Sequence, residues 1–143
     1  MEADLYSRSL GDRSDLIDGV IGEESSFHHT FGYYAQGVGP ATAILPRGWE
    51  GRLTLIENAN TGGAKAYCID PQDLALAKLV AWREKDQMFL GHMAQAGLID
   101  EKRVKGRIAL LPVDDVTKEQ VQDRLERLLS ESVVSIPAFP RPR

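Results

Sequence analysis

The chain lacks most of the residues and motifs by which a function is usually recognised. Its 143 residues include one cysteine, Cys68, so no internal disulfide forms and a zinc site is not expected. No apolar run approaches the roughly 18 residues that a membrane-spanning helix needs. The opening MEADLYSRSL has no basic stretch followed by an apolar one and shows no secretory signal. With one cysteine, a cytoplasmic protein is the expectation. There is no Walker loop, no G-x-G-x-x-G turn and no serine in a nucleophile elbow. His28 and His29 are neighbours that diverge in an extended segment, so they do not chelate one metal together. No internal repeat is visible. The net charge of −4 argues against a broad basic nucleic-acid face and leaves room for a local patch.

What remains is an ordinary globular composition, 43% hydrophobic and 27% charged. That length suits one domain with its own core, taken as residues 1–136. The proline- and arginine-rich residues 137–143 read as a flexible tail. Residues 1–70 are the β-rich part. Residues 2–6 read as a strand, and RSDLIDGVIG (13–22) is a helix stopped by Gly22. SSFHHTFGYYAQGVGP is expected to be irregular or extended. ATAILP, GRLTLIEN and AKAYCID are three short strand candidates, with NANTGG as the turn between the last two. Residues 71–131 read as helical. Asp70 is the first N-cap, Pro71 follows at the first position, and a later helix stops at Gly97. Another starts at Asp100, and the last has Thr117 as N-cap, Gln120 as capping-box partner and a Val116–Val121 staple. Strands first and helices second make an α+β protein.

The helix DPQDLALAKLVAWREKD puts a lysine in its apolar stripe. On a wheel of about 100° per residue, Leu74, Ala75, Lys78, Trp82, Phe89 and Met93 share a face. Two readings are open for Lys78. Its methylenes can lie on the stripe while the ammonium reaches the surface. Alternatively the stripe borders a cleft where the ammonium meets an anion such as a phosphate. Arg83 and Asp86 are three apart and able to pair. Were the helix unbroken, Asp86 would lie about 80° from Lys78, so that both could flank one ligand. Glu2 and Asp4 point to the same face of a strand, an arrangement that suits a divalent cation such as Mg²⁺, although from the residues alone an exposed, frayed acidic terminus is the favoured reading.

Three stretches carry a resemblance over about two-thirds of the chain: EADLY, DLIDGVIGEESSFHHTFGYYAQGVGPATAILPRGWEGRL and CIDPQDLALAKLVAWREKD. Together they resemble a bacterial family of nucleotidyltransferase-like proteins related to the abortive-infection (AbiEii-type) nucleotidyltransferase toxins. The resemblance implies a nucleotidyltransferase-like mixed sheet followed by a helical half. It implies Glu2 and Asp4 as the acid-x-acid pair holding Mg²⁺, Lys78 as the lysine facing the triphosphate, and Arg83 and Asp86 as the closing motif. By the same resemblance, the family's phosphate-binding glycine-serine turn belongs upstream of Glu2. The sheet is therefore expected to be truncated and activity weak or absent.

The implied function is Mg-dependent transfer of a nucleotidyl group from a nucleoside triphosphate to an acceptor such as RNA, in a defence or toxin–antitoxin setting. The alternative from another class is a non-catalytic remnant that binds an antitoxin-type protein or self-associates through an open sheet edge. No membrane partner is expected.

Overall fold

Alternating acidic and apolar residues open the chain, and in the computed structural model Glu2–Leu5 form strand β1. The structure describes residues 2–8, 13–39 and 41–134. They fall into two compact units, Met1–Ala43 and Ile44–Arg143.

In the first unit, β1 pairs in parallel with β2 (Tyr34–Gly37), with Glu2 opposite Tyr34 and Leu5 opposite Gly37. A parallel pair cannot be closed by a hairpin, and helices α1 (Ser14–Ile21) and α2 (Ser26–Phe31) provide the crossover. Gly37 is where α1 comes close to β2. A Cβ there would stand 2.3 Å from the Ser14 carbonyl oxygen, and the Gly37 N–H donates to Asp18 Oδ1 at 2.7 Å. Helix α2 corrects the expectation of irregular structure after Ser25. The Ser25 side chain accepts from the His28 N–H, and Gly32 ends the helix at φ 75°, so two local signals outweigh the aromatic content between them. Among the described residues of this unit, the only buried hydrophobic side chain is Ala35.

ATAILP, which spans the boundary between the units, is not a strand: residues 41–43 turn and Pro46 is buried. After a 3-10 turn at Trp49–Arg52, β3 (Thr54–Ile56) pairs antiparallel with β4 (Ala66–Cys68), Leu55 opposite Tyr67. Their connection is a 3-10 turn, Ala59–Thr61, in which the Asn58 side chain accepts from the Asn60 N–H at 2.9 Å. Parallel and antiparallel pairing are both present, but in two separate two-stranded sheets, one in each unit.

Four helices follow: α3 (Pro71–Ala81), α4 (Glu84–Gln95), α5 (Glu101–Ile108) and α6 (Asp115–Val134). Asp70 caps α3 and Asp100 caps α5, each through a side-chain oxygen. The cap of α6 is Asp114, whose carboxylate accepts the Thr117 N–H at 2.7 Å. That places Thr117 inside the helix rather than at its cap, and Val116 is 63% exposed, with no staple to make. Helix α3 is the hub. Ala75, Leu76 and Leu79 pack with Leu90 and Met93 of α4, Val104 and Ile108 of α5, and Val121, Leu125 and Leu128 of α6. Each fully buried leucine contributes about 1.5–3 kcal/mol relative to an exposed one.

The architecture is α+β, with its hydrophobic core in the helical half. No described helix is long and apolar enough to cross a membrane. The flexible tail expected at 137–143 lies outside the described residues.

Candidate functional site

Helix α3 does not run on into REKD. It stops at Trp82, which takes the left-handed conformation (φ 52°), and α4 starts two residues later. The wheel that carried the stripe on to Phe89 and Met93 therefore breaks. Because α3 is buried around most of its circumference, Lys78 sits at the margin of the buried face rather than in the middle of a stripe.

The turn nevertheless brings Lys78, Arg83 and Asp86 together. Asp86 is fully buried in the first turn of α4. Its Oδ2 accepts from Arg83 Nε at 2.7 Å and from the Arg83 backbone N–H at 3.1 Å. Its Oδ1 accepts from an Arg83 terminal nitrogen at 3.3 Å and from Lys78 Nζ at 3.4 Å. Burial pushes the Asp86 carboxyl up, but the Arg83 bonds and the Lys78 charge outweigh it and hold the group below the usual carboxylate range. Lys78 is in the last turn of α3, where the helix dipole favours a cation, and its ammonium lies 4.5 Å from the centre of the Phe89 ring. The Lys78 side chain keeps 20% exposure and that of Arg83 61%. An ionised, buried carboxylate thus anchors two cations that still meet solvent.

Glu2 and Asp4 belong to the first unit and alternate along β1, both exposed. The Tyr34 hydroxyl donates to Glu2 Oε2 at 3.5 Å. Partial burial and then the carboxylates of Glu2 and Glu23 push the Tyr34 phenol above its ordinary value. Among the described residues, no group of three or more His, Cys, Asp or Glu side chains gathers to hold a metal. Two carboxylates on one strand face fit the way Mg²⁺ is commonly bound, by one or two protein carboxylates with water and substrate phosphate completing the shell. They do not fit a dedicated all-protein cage.

A second ionic cluster lies at the other end of α3, and it was not read from the sequence. Asp73 is fully buried and accepts from Arg52 Nε at 2.7 Å and Arg107 Nη1 at 2.7 Å. The same Arg107 nitrogen reaches Asp70 Oδ1 at 2.6 Å. Buried Gln72 donates to the Leu98 carbonyl at 3.0 Å and accepts the Asp100 N–H at 2.8 Å. These contacts tie the segment before β3, the α4–α5 loop and α5 onto the start of α3. No local pattern announces partners so far apart in sequence. Arg124 of α6 was likewise unforeseen: it donates to the Leu79 and Val80 carbonyls at 2.7 and 3.1 Å and lies 5.2 Å from the Trp82 ring centre.

Residues 12–133 match the model of a family described as nucleotidyltransferase of unknown function (DUF6036). Lys78, Arg83 and Asp86 fall inside the match, whereas Glu2 and Asp4 precede it. No curated protein and no solved structure matches the chain.

Proposed function

Since the chain belongs to this nucleotidyltransferase family, we propose that it transfers a nucleotidyl group from a nucleoside triphosphate to an acceptor hydroxyl. The observation that carries the reading is the Lys78 ammonium, held between buried Asp86 and the Phe89 ring on a side chain that keeps some exposure to solvent. Such a cation is oriented before any ligand arrives, so it loses little freedom on meeting a phosphate. In the transfer, the acceptor oxygen bonds to the α-phosphorus, the bond from that phosphorus to pyrophosphate breaks, the departing pyrophosphate keeps the electron pair, and the hydroxyl proton passes to solvent water. Lys78 offsets the charge that gathers on the phosphates, and the exposed end of Arg83 adds a second donor.

Asp86 acts as the anchor of both cations. Buried and held ionised, it would have to give up one of these partners to orient or deprotonate the acceptor. By the resemblance, Glu2 and Asp4 of the first unit are the residues that would hold Mg²⁺, an ion whose chemistry is to neutralise charge on phosphate oxygens. We include in the proposal the finer reading from resemblance: an RNA acceptor, kinship to the AbiEii-type toxins, and a defence or toxin–antitoxin role with an antitoxin-type partner.

The test is incorporation of labelled nucleotide into RNA by the unmodified chain, Lys78→Met and Asp86→Asn. Incorporation that Lys78→Met abolishes without loss of fold supports the proposal, and equal activity in all three removes Lys78 from it.

A second, non-catalytic reading has its own observation. Among the described residues, strand β1 pairs with β2 alone, and all four of its residues are exposed. An unpaired strand edge is a template for a second chain. A mass in solution that stays monomeric at high concentration would exclude self-association through it.

A further inference from the structure

The residues of the candidate site meet across a corner, and that corner is held from a third helix. The last carbonyls of an α-helix have no partner within it. At the end of α3 the Trp82 N–H donates to the Lys78 carbonyl at 2.8 Å, with the Trp82 backbone in the left-handed conformation (φ 52°). That position ordinarily takes glycine or asparagine, since a bulky side chain is strained there. A tryptophan keeps it only where its surroundings over-determine the conformation.

Arg124 of α6 is such a constraint. Its Nη1 donates to the Leu79 and Val80 carbonyls at 2.7 and 3.1 Å, and its guanidinium lies 5.2 Å from the centre of the Trp82 ring. One side chain thus satisfies two carbonyls that the helix leaves open, places a cation at the negative end of its dipole and covers the indole of the corner residue. On the α4 side the Gln87 side chain donates to the Trp82 carbonyl at 3.1 Å.

The corner sets how far Lys78 stands from Asp86. Arg83 and Asp86 share one turn at the start of α4, so their bonds at 2.7 and 3.1 Å do not depend on where α3 points. Lys78 is on the other side of Trp82. Its ammonium is 3.4 Å from Asp86 Oδ1, longer than the roughly 2.7–2.9 Å of a strong charged hydrogen bond. A contact already that long is the first to be lost when the angle between the two helices opens. We propose that Arg124 is a positioning residue: by fixing the α3–α4 corner from α6, it holds the Lys78 ammonium beside Asp86 and in place for an anion. The step from there to a triphosphate rests on the transfer reading, and the Lys78–Asp86 contact does not.

Arg124→Met keeps the stem of the side chain and removes its donors and its charge. The Asp86 carboxyl, followed by carbon NMR in the full chain, is expected to titrate at a higher pH in this variant, because it loses the Lys78 charge and retains Arg83. A purely structural role would lower the melting temperature and leave that titration in place, which would overturn the proposal. Binding of ATP with Mg²⁺ should weaken about tenfold, as in Lys78→Met, and the double variant should bind no more weakly than either single one. Losses that add would mean that Arg124 does not act through Lys78, and would equally overturn it. Arg124→Lys, with a charge but no planar fork, is expected to fall between the unmodified chain and Arg124→Met in both readouts, and it stands in if Arg124→Met does not fold. If the unmodified chain binds no ATP, the transfer reading fails, while the Asp86 titration still decides the role of Arg124. An unchanged Asp86 titration, beside ATP binding that needs Lys78, leaves the transfer reading standing and removes Arg124 from it.

Discussion

Asp73 and Asp86 are both fully buried aspartates in the helical unit, each between two cations, and they differ in where those cations come from. Asp86 draws on Arg83 and Lys78, three and eight residues away, and one of them keeps a largely exposed side chain. Asp73 draws on Arg52 and Arg107, 21 and 34 residues away, and both are mostly covered. A buried charge is tolerated only when it is paired and hydrogen-bonded. Where the partners are local, the pair organises one turn and leaves its cations able to meet a ligand. Where they are distant, the pair closes the tertiary structure and its cations are used up in doing so. The same chemistry is a candidate site at one end of α3 and a clamp at the other.

The sharpest break of this comparison is Asp73→Ala. It leaves two largely covered guanidinium groups without their shared carboxylate, and the expected loss is about 3–5 kcal/mol in urea unfolding. A loss below about 1 kcal/mol would mean that Asp70 alone satisfies Arg107 and that the clamp is no more than a surface pair. Asp86→Ala should cost less, about 1–3 kcal/mol, because Arg83 can turn its side chain to water. If it costs more than Asp73→Ala, the distinction between local and distant partners fails.

Acid titration sharpens the same contrast with a smaller effect. At Asp70, burial raises the carboxyl while the Arg107 side-chain bond and the Gln72 N–H outweigh it, and at Asp86 burial is outweighed by Arg83 and Lys78. Both folded-state values lie below the unfolded one, about 3.9, so their stabilisation is complete above that pH and is lost as pH falls through the folded values. Unfolding midpoints should therefore hold steady from neutrality to about pH 5 and fall below about pH 4, with a shallower fall in Asp86→Asn. A midpoint already falling between neutrality and that range would point to a different titrating group.

The smallest effect on stability is expected at Lys78. Lys78→Met keeps the stem and removes one ammonium, so unfolding should shift by no more than about 1 kcal/mol. Binding of nucleoside triphosphate, followed by thermal shift, should weaken about tenfold or more, the worth of one charge-assisted hydrogen bond. Large destabilisation with unchanged nucleotide binding would make Lys78 a second clamp.

How much of this was legible in the sequence follows the same division. Through groups within three residues, Asp70 and Pro71 announce the start of α3, Gly97 the stop of α4 and Asp100 the start of α5, whereas the break between α3 and α4 at Trp82 has no such signal. The Lys78–Asp86 pair was legible by spacing, although the chain reaches it through a turn at Trp82 rather than along one helix. Helix α2 is hidden by its aromatic content, since the signals that set it are the single residues Ser25 and Gly32 on either side of it. ATAILP has a strand's composition but pairs with nothing among the described residues, and strand content depends on a partner that composition does not supply.

The sequence by itself determined the α+β order, several helix boundaries and the identity of the three residues that meet at the end of α3, because each follows from interactions within one or two turns. Only the tertiary structure decided that α3 is the buried hub, that Asp73 closes on Arg52 and Arg107, and that Arg124 reaches the corner at Trp82. Those outcomes require segments tens of residues apart to meet, and the side chains that meet there show no periodicity that would pair them in advance.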